Sequence, residues 1–339
     1  MIRNFTLILL ILLGSSVWLQ AQDTHFSQFY ASPLNLNPAL TGVNEGTYRV
    51  TGIYRNQDRS FTTPYVTYSG SFDIKLLQNL IKNNDVFAAG AVFLGDRSGD
   101  GALTLSNFMI SASYHKSIGK AANHFIGIGI QGGFTQKSVN SNLTFPNQHQ
   151  NDYFSLGLPS GENIQPKIKY FDLNAGLLYQ GWIKKDVDGI FGGISFAHLT
   201  SPKESFAGSN VHIPMRYTVH AGAYIKLSQH FYLTPNILFL YQDKALQVNL
   251  GTAVEYHMLM KKSTLVLFAG VWSRLNDVFI PSAGMEYYRV RVSFAYDITT
   301  SSLTYATENR SAFELAIIYT GFIKNKGIPY PKLVPCPRM

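Results

Sequence analysis

One cysteine occurs in 339 residues, Cys336, so no internal disulfide can staple the chain. Charge is also scarce, at 14% of residues, against roughly 25% in soluble domains. Long apolar runs are missing as well. Beyond residue 21 no stretch approaches the ~20 apolar residues that a membrane helix needs, although 46% of the chain is hydrophobic and 14% aromatic. No G-x-S-x-G nucleophile elbow is present. His115, His198, His220 and His257 fall in separate segments without metal-ligand spacing, which suits hydrogen bonding in a lumen or at its rim better than a zinc site. These absences argue against a disulfide scaffold, a helical membrane protein and a motif-bearing enzyme, and no cofactor or metal is expected. A chain that is apolar but never continuously so has the composition of a membrane β-barrel.

The first residues give the compartment. Arg3 supplies a positive start, Phe5 to Leu13 an apolar core, and "WLQAQ" a small-residue cleavage site after Ala21. Residues 1–21 therefore read as a secretory signal peptide, and with no cysteine after the cut a lipoprotein is not expected. The formal charge of +8 implies affinity for anionic surfaces and nothing more specific; no nucleic-acid partner is implied.

What the chain does have is period two. In "RVRVSFAYDI" (289–298) Arg289, Arg291, Ser293, Ala295 and Asp297 alternate strictly with Val290, Val292, Phe294, Tyr296 and Ile298, and "KALQVNLGTAVEYH" (244–257) and "KYFDLNAGLLYQGW" (169–182) carry the same period of two. Similar segments recur between residues 45 and 322. About fourteen can be drawn, an even number as bacterial barrels require. The fold class expected is all-β, a transmembrane antiparallel β-barrel of about 14 strands. The stretches 137–168, 200–213 and 299–310 fall on one end if the N-terminus is periplasmic, whereas connections at the other end are mostly brief, which is barrel-like segregation.

An arginine facing lipid at mid-depth costs ~2–4 kcal/mol, so the charged face of each strand must look into the lumen. That places Arg49, Arg55, Arg216, Arg274, Arg289 and Arg291 inward together with Asp73, Asp172, Glu255, Glu286, Asp297 and Glu314. Matched signs suggest a paired, largely filled interior rather than an ion-selective ring. Tyr48, Tyr179 and Trp182 are candidates for interfacial girdles facing outer-membrane lipid.

Two segments lack strand character. Residues 22–44, with "QDTHFSQFYASPLNLNPALTG", are expected to form a periplasmic arm or plug closing the mouth, or else a partner-binding segment through Phe26, Phe29 and Tyr30. Residues 323–339 form a basic, proline-rich tail in which Lys324, Lys326, Tyr330, Lys332, Cys336 and Arg338 are candidate contacts for a periplasmic component. Cys336 could be inert or an intermolecular contact point.

"FSQFYASPLNLNPALTG", "YRNQ" at 54–57, "FDLNAGLLY" at 171–179, "GGISFAHLTSP" at 192–202, "GVWSR" at 270–274, "YDITTSSL" at 296–303 and the terminal "PCPRM" together resemble the PorP/SprF family over essentially the whole mature chain. The resemblance implies an outer-membrane barrel of the type IX secretion system in Bacteroidota, serving export, surface attachment of secreted proteins such as adhesins, or gliding motility. Its expected partners are a secreted surface protein outside and secretion or motility components in the periplasm. Asp58, where relatives often carry an aromatic, and the final Met339, where Phe is common, depart from the pattern.

"DRSGDG" places Asp96, Ser98, Asp100 and Gly101 like the start of a calcium loop, but the twelfth position falls on Asn107, so a hairpin loop is the better reading. Three function classes follow: a secretion-system barrel, a passive channel and a surface enzyme. The balanced lumen and long outer loops favour the first, and the missing motifs weigh against the third.

Overall fold

The computed structural model describes residues 23–57, 63–78, 80–81, 84–99, 103–119, 123–139, 145–150, 153–155, 157–161, 165–184, 188–260, 264–301 and 310–323. The signal segment 1–21, the tail contacts Lys324, Lys326, Tyr330, Lys332, Cys336 and Arg338, and Asp100 and Gly101 of the calcium-like loop lie outside the described residues.

Fourteen antiparallel strands form one closed sheet. They are β1 (Tyr48–Gln57), β2 (Tyr65–Leu76), β3 (Val86–Ser98), β4 (Leu103–Ile118), β5 (His124–Ser138), β6 (Lys167–Lys184), β7 (Asp188–Ala197), β8 (Arg216–Lys226), β9 (Phe231–Leu233 continuing as Asn236–Gln242), β10 (Ala245–Leu259), β11 (Thr264–Arg274), β12 (Val278–Tyr287), β13 (Val290–Thr299) and β14 (Arg310–Gly321). Each pairs with its neighbours in sequence, and β14 pairs with β1 from Tyr48↔Gly321 to Gln57↔Ala312, which closes the barrel and abolishes its edges. The two pieces of β9 keep one register against β10, Leu233↔Val254 and Asn236↔Gly251, and are interrupted only where Pro235 has no N–H to donate. Among the described residues no helix is long and apolar enough to cross a membrane. The crossing is made by strands.

Period two sets the wall. On β13, Val290 and Phe294 are exposed while Ser293, Ala295 and Asp297 are buried. Ile126, Ile128 and Ile130 on β5 and Phe108 and Ile110 on β4 likewise stand on the outer surface. This is the face a lipid phase solvates.

The barrel has two ends. The proximal end carries Tyr48 and Gly321, and the distal end carries Gln57 and Ala312. The three longest connections, 139–166, 198–215 and 300–309, all lie at the distal end, though short turns occur there too, such as Asp243–Lys244. At the proximal end Tyr288 and Arg289 have φ of 47° and 70°, the two-residue turn that matches strand twist. That turn corrects one expectation. Arg289 is not on the inner face of β13; it precedes the strand, and its guanidinium lies over the Phe322 ring at 4.3 Å.

Candidate functional site: the occupied lumen

Residues 23–47 run through the lumen, from the start of β1 at the proximal end to Asp23 in the distal half. This segment forms three single turns, Phe29–Ala31, Pro33–Leu36 and Pro38–Leu40, and Pro33 and Pro38 each fix φ and open a turn at its first position. A chain cut into such short turns cannot satisfy its own backbone. The barrel wall does it instead.

At the proximal end the carboxylate of Asp73 on β2 accepts from the Gly42 N–H at 2.8 Å, from Asn44 Nδ2 at 3.1 Å and from Arg49 Nε at 2.9 Å. Arg49 on β1 then donates to the carbonyls of Val43 and Leu40 at 2.9 and 3.0 Å, and Lys75 Nζ donates to the Asn44 carbonyl at 2.6 Å. One ion pair thus closes four contacts with the arm.

Deeper in, the "NPAL" turn meets a wall without side chains. Asn37 Oδ1 accepts from the Ala39 N–H at 2.8 Å, and Asn37 Nδ2 donates to the Leu177 carbonyl at 3.1 Å and lies 3.1 Å from His220 Nε2. Gly129 on β5, Gly176 on β6 and Gly193 on β7 leave the room: a Cβ on Gly176 would strike Asn37 Oδ1, and one on Gly193 would sit 2.8 Å from Asn37 Nδ2. His115 on β4 reaches the Thr41 carbonyl at 3.1 Å. His115 and His220 therefore seat the arm, and among the described residues no group of three or more His, Cys, Asp or Glu is arranged to hold a metal.

In the distal half the arm is held by charge. Glu314 on β14 accepts from the backbone N–H groups of Ser27 and Gln28 at 2.6 and 2.8 Å, and pairs with Arg55 at 2.6 Å. Arg55 also meets Asp297 on β13 at 3.0 Å, and Arg274 on β11 reaches the same carboxylate at 3.4 Å. Ser27 Oγ sits at the centre, donating to Asp297 at 2.8 Å and accepting from Arg55 and Arg274 at 2.7 and 3.0 Å. Asp297 and Glu314 are fully buried. Two buried carboxylates beside each other are tolerable only because two guanidinium groups and two backbone amides face them.

The remaining inward charges divide into two clusters. Arg291 pairs with Glu255 at 2.8 Å and lies 3.6 Å from Glu286, its guanidinium 4.0 Å from the centre of the Phe268 ring. His257 meets Glu255 at 3.1 Å. At the distal rim His198, just past β7, touches Asp172 at 2.6 Å through Nδ1 and Asp23 at 2.7 Å through Nε2, and Arg216 meets Asp23 at 3.0 Å. The Asp172 contact is close but poorly aligned as a hydrogen bond, so it acts as an ion pair. Burial lowers the His198 pKa, but the two carboxylates outweigh it and push the imidazole up to about 9, so it is charged at neutral pH.

Phe26, Phe29 and Tyr30, candidates for contact with a partner, are 4%, 6% and 6% exposed. Tyr30 lies 4.9 Å and Phe29 5.8 Å from the Trp272 ring, whose Nε1 donates to Ser282 at 3.1 Å. In this structure their partner is the barrel itself. The residues that sequence reasoning missed are Ser27, Gln28 and Asn37, which join arm to wall. The small and polar run in "FSQFYASPLNLNPALTG" was the available signal.

The family model described as "Type IX secretion system membrane protein PorP/SprF" matches residues 19–319, spanning the arm and all but the last two residues of the barrel's final strand. The chain belongs to the PorP/SprF family. It is thereby a β-barrel of the type IX secretion system, and the family points to the outer membrane. No curated protein matches it in sequence. Among solved structures it is similar to the toluene transporter TbuX of Ralstonia pickettii, at 10% identity over 85% of this chain and 92% of that one, with a TM-score of 0.51. The toluene transporter TodX of Pseudomonas putida shows 10% identity over 88% and 97%, with a TM-score of 0.49. At such identity the likeness extends to the outer-membrane barrel fold alone. The "YRNQ", "GVWSR" and "YDITTSSL" stretches, which resemble the PorP/SprF pattern, contribute Arg55, Arg274 and Asp297 to the arm's distal anchor.

Proposed function

We propose that this PorP/SprF protein docks an exported protein at its distal face and supports that protein's export or surface anchoring, adhesins of gliding motility being one cargo of this kind. On this reading residues 1–21 are removed on export, the proximal end faces the periplasm, and the tail beyond Ile323 engages a periplasmic component of the machine. The observation that carries the proposal is the filled lumen beneath the gathered distal connections. The arm occupies the bore with Phe29, Tyr30, Leu34 and Leu40, while the distal connections are tied together and to the wall above it, Gln165 N–H to the Phe206 carbonyl at 2.8 Å and Lys137 of β5 to Glu204 at 2.5 Å. A barrel plugged from within and organised at its rim suits holding a protein better than passing a solute.

The passive-channel reading ranks second. It draws on the fold shared with a toluene transporter, but needs a path that the arm obstructs. A surface enzyme ranks third, because the serine–histidine contact in the lumen, Ser113 with His115 at 3.1 Å, is buried and both side chains are engaged with the Thr41 carbonyl of the arm. The test is to shorten the 139–166 connection in cells. Loss of surface retention of the secreted protein, with heat-modifiable barrel still in the outer membrane, supports docking; unchanged retention contradicts it.

A further inference from the structure

The distal half of the lumen is not completely filled. A cavity of ≈ 360 Å³ opens between the arm and the inner faces of β3 to β8, within the roughly 300–1,000 Å³ range of ligand pockets. Its floor is the arm, at Asp23, Thr24 and Asn35, and its rim includes Glu204 of the 198–215 connection. The two walls differ. On β3 and β4 the lining sets Leu94, Leu103, Leu105 and Met109 beside Asp96, Ser98 and Asn107; on β5 to β8 it is mostly polar and charged.

The charges on the second wall are matched. Lys137 engages Glu204, Arg216 engages Asp23, and His198 lies between Asp23 and Asp172. One carboxylate in the cavity is not matched by a cation among the described residues. Among the described residues Asp96 on β3 accepts from the hydroxyls of Thr67 at 2.6 Å and Ser98 at 2.7 Å, and it stands beside the leucines of the cavity. A half-buried carboxylate held by neutral donors gains from a positive charge brought to it, and the adjoining wall gains from burying an apolar body.

We propose that this vestibule binds an extended peptide segment carrying a lysine or arginine among aliphatic residues, with the cation on Asp96 and the aliphatic side chains on Leu94, Leu103 and Leu105. The segment belongs to the exported protein, so the proposal rests on the docking role above and adds its recognition chemistry. A peptide is the occupant because the cavity lies under the distal connections and offers a carboxylate beside an apolar surface: Leu94 and Asp96 are two apart on β3 and Leu105 pairs across from Asp96, so same-face side chains of one extended segment can meet both.

The test uses the full-length barrel in detergent and a fluorescent heptapeptide of leucine, valine and glycine with one central lysine, read by polarisation. A counter-probe carries glutamate in place of lysine. Saturable binding of the lysine peptide, weaker by about tenfold or more for the glutamate peptide, supports the site. So does a similar loss in Asp96→Asn that Asp96→Glu restores, with heat-modifiable mobility showing that each variant is folded. Equal binding of both peptides, no saturable binding, or an Asp96→Asn barrel that binds as before overturns it. Those outcomes leave surface retention in cells untouched as a separate measure of the docking role itself.

Discussion

The lumen has two sides that treat charge differently. Against β1, β11, β13 and β14, Arg55 and Arg274 face Asp297 and Glu314 around Ser27, so that each buried charge meets an opposite charge and the arm's backbone. Against the distal ends of β3 and β4, where the cavity opens beside the arm, Asp96 is held by two hydroxyls beside leucines. Charges are closed off where the chain fills its own bore and left open where it does not. The first side has the character of a structural plug seat, and the second that of a binding surface.

Removing one partner on each side sharpens the contrast. Glu314→Ala leaves Arg55 buried and the Ser27 and Gln28 amides unpaired, and a loss of about 3–5 kcal/mol is expected in denaturant unfolding of the reconstituted barrel. Asp96→Asn keeps hydroxyl partners and should shift stability by less than about 1 kcal/mol. Equal losses would erase the distinction between the two sides. On the outer surface Phe294→Arg, on the same strand as Asp297, should cost ~2–4 kcal/mol in lipid; a neutral outcome would mean that this face of β13 does not meet the hydrocarbon.

A smaller effect comes from the rim. Folded His198 has its pKa raised to about 9 from an ordinary value of 6.5. Its contribution is therefore complete below the ordinary value and is lost as pH rises through the raised one. The stability gap between the native chain and His198→Phe should close on the alkaline side of about 9, whereas a gap that persists there would remove the ion pairs with Asp23 and Asp172 as its source.

Much of this was legible beforehand. Strict alternation in 289–298, together with the cost of an arginine in lipid, was enough to turn Arg291 inward and Phe294 outward, and the same rule recovered fourteen strands. It misplaced Arg289, because alternation carries no information about where a strand stops and a two-residue turn begins. Who pairs with whom was not legible: Arg55 and Glu314 meet only because β14 closes on β1, a consequence of barrel closure and not of any local pattern. The glycine seat was hidden for a related reason. Gly129 and Gly176 pair across neighbouring strands and Gly193 lies one strand further on, so their shared purpose, room for the turn from Asn37 to Ala39, exists only in the assembled wall.

The filled lumen is tested most directly by single-channel recording of the purified barrel in planar bilayers. The intact protein should give little conductance, and deleting residues 23–44 or inserting a side chain at the seat with Gly176→Val should raise it, because both displace the arm that Asn37, Ser27 and Gln28 hold in place. Large, steady currents through the intact protein, unchanged by either alteration, would contradict a bore closed by its own arm.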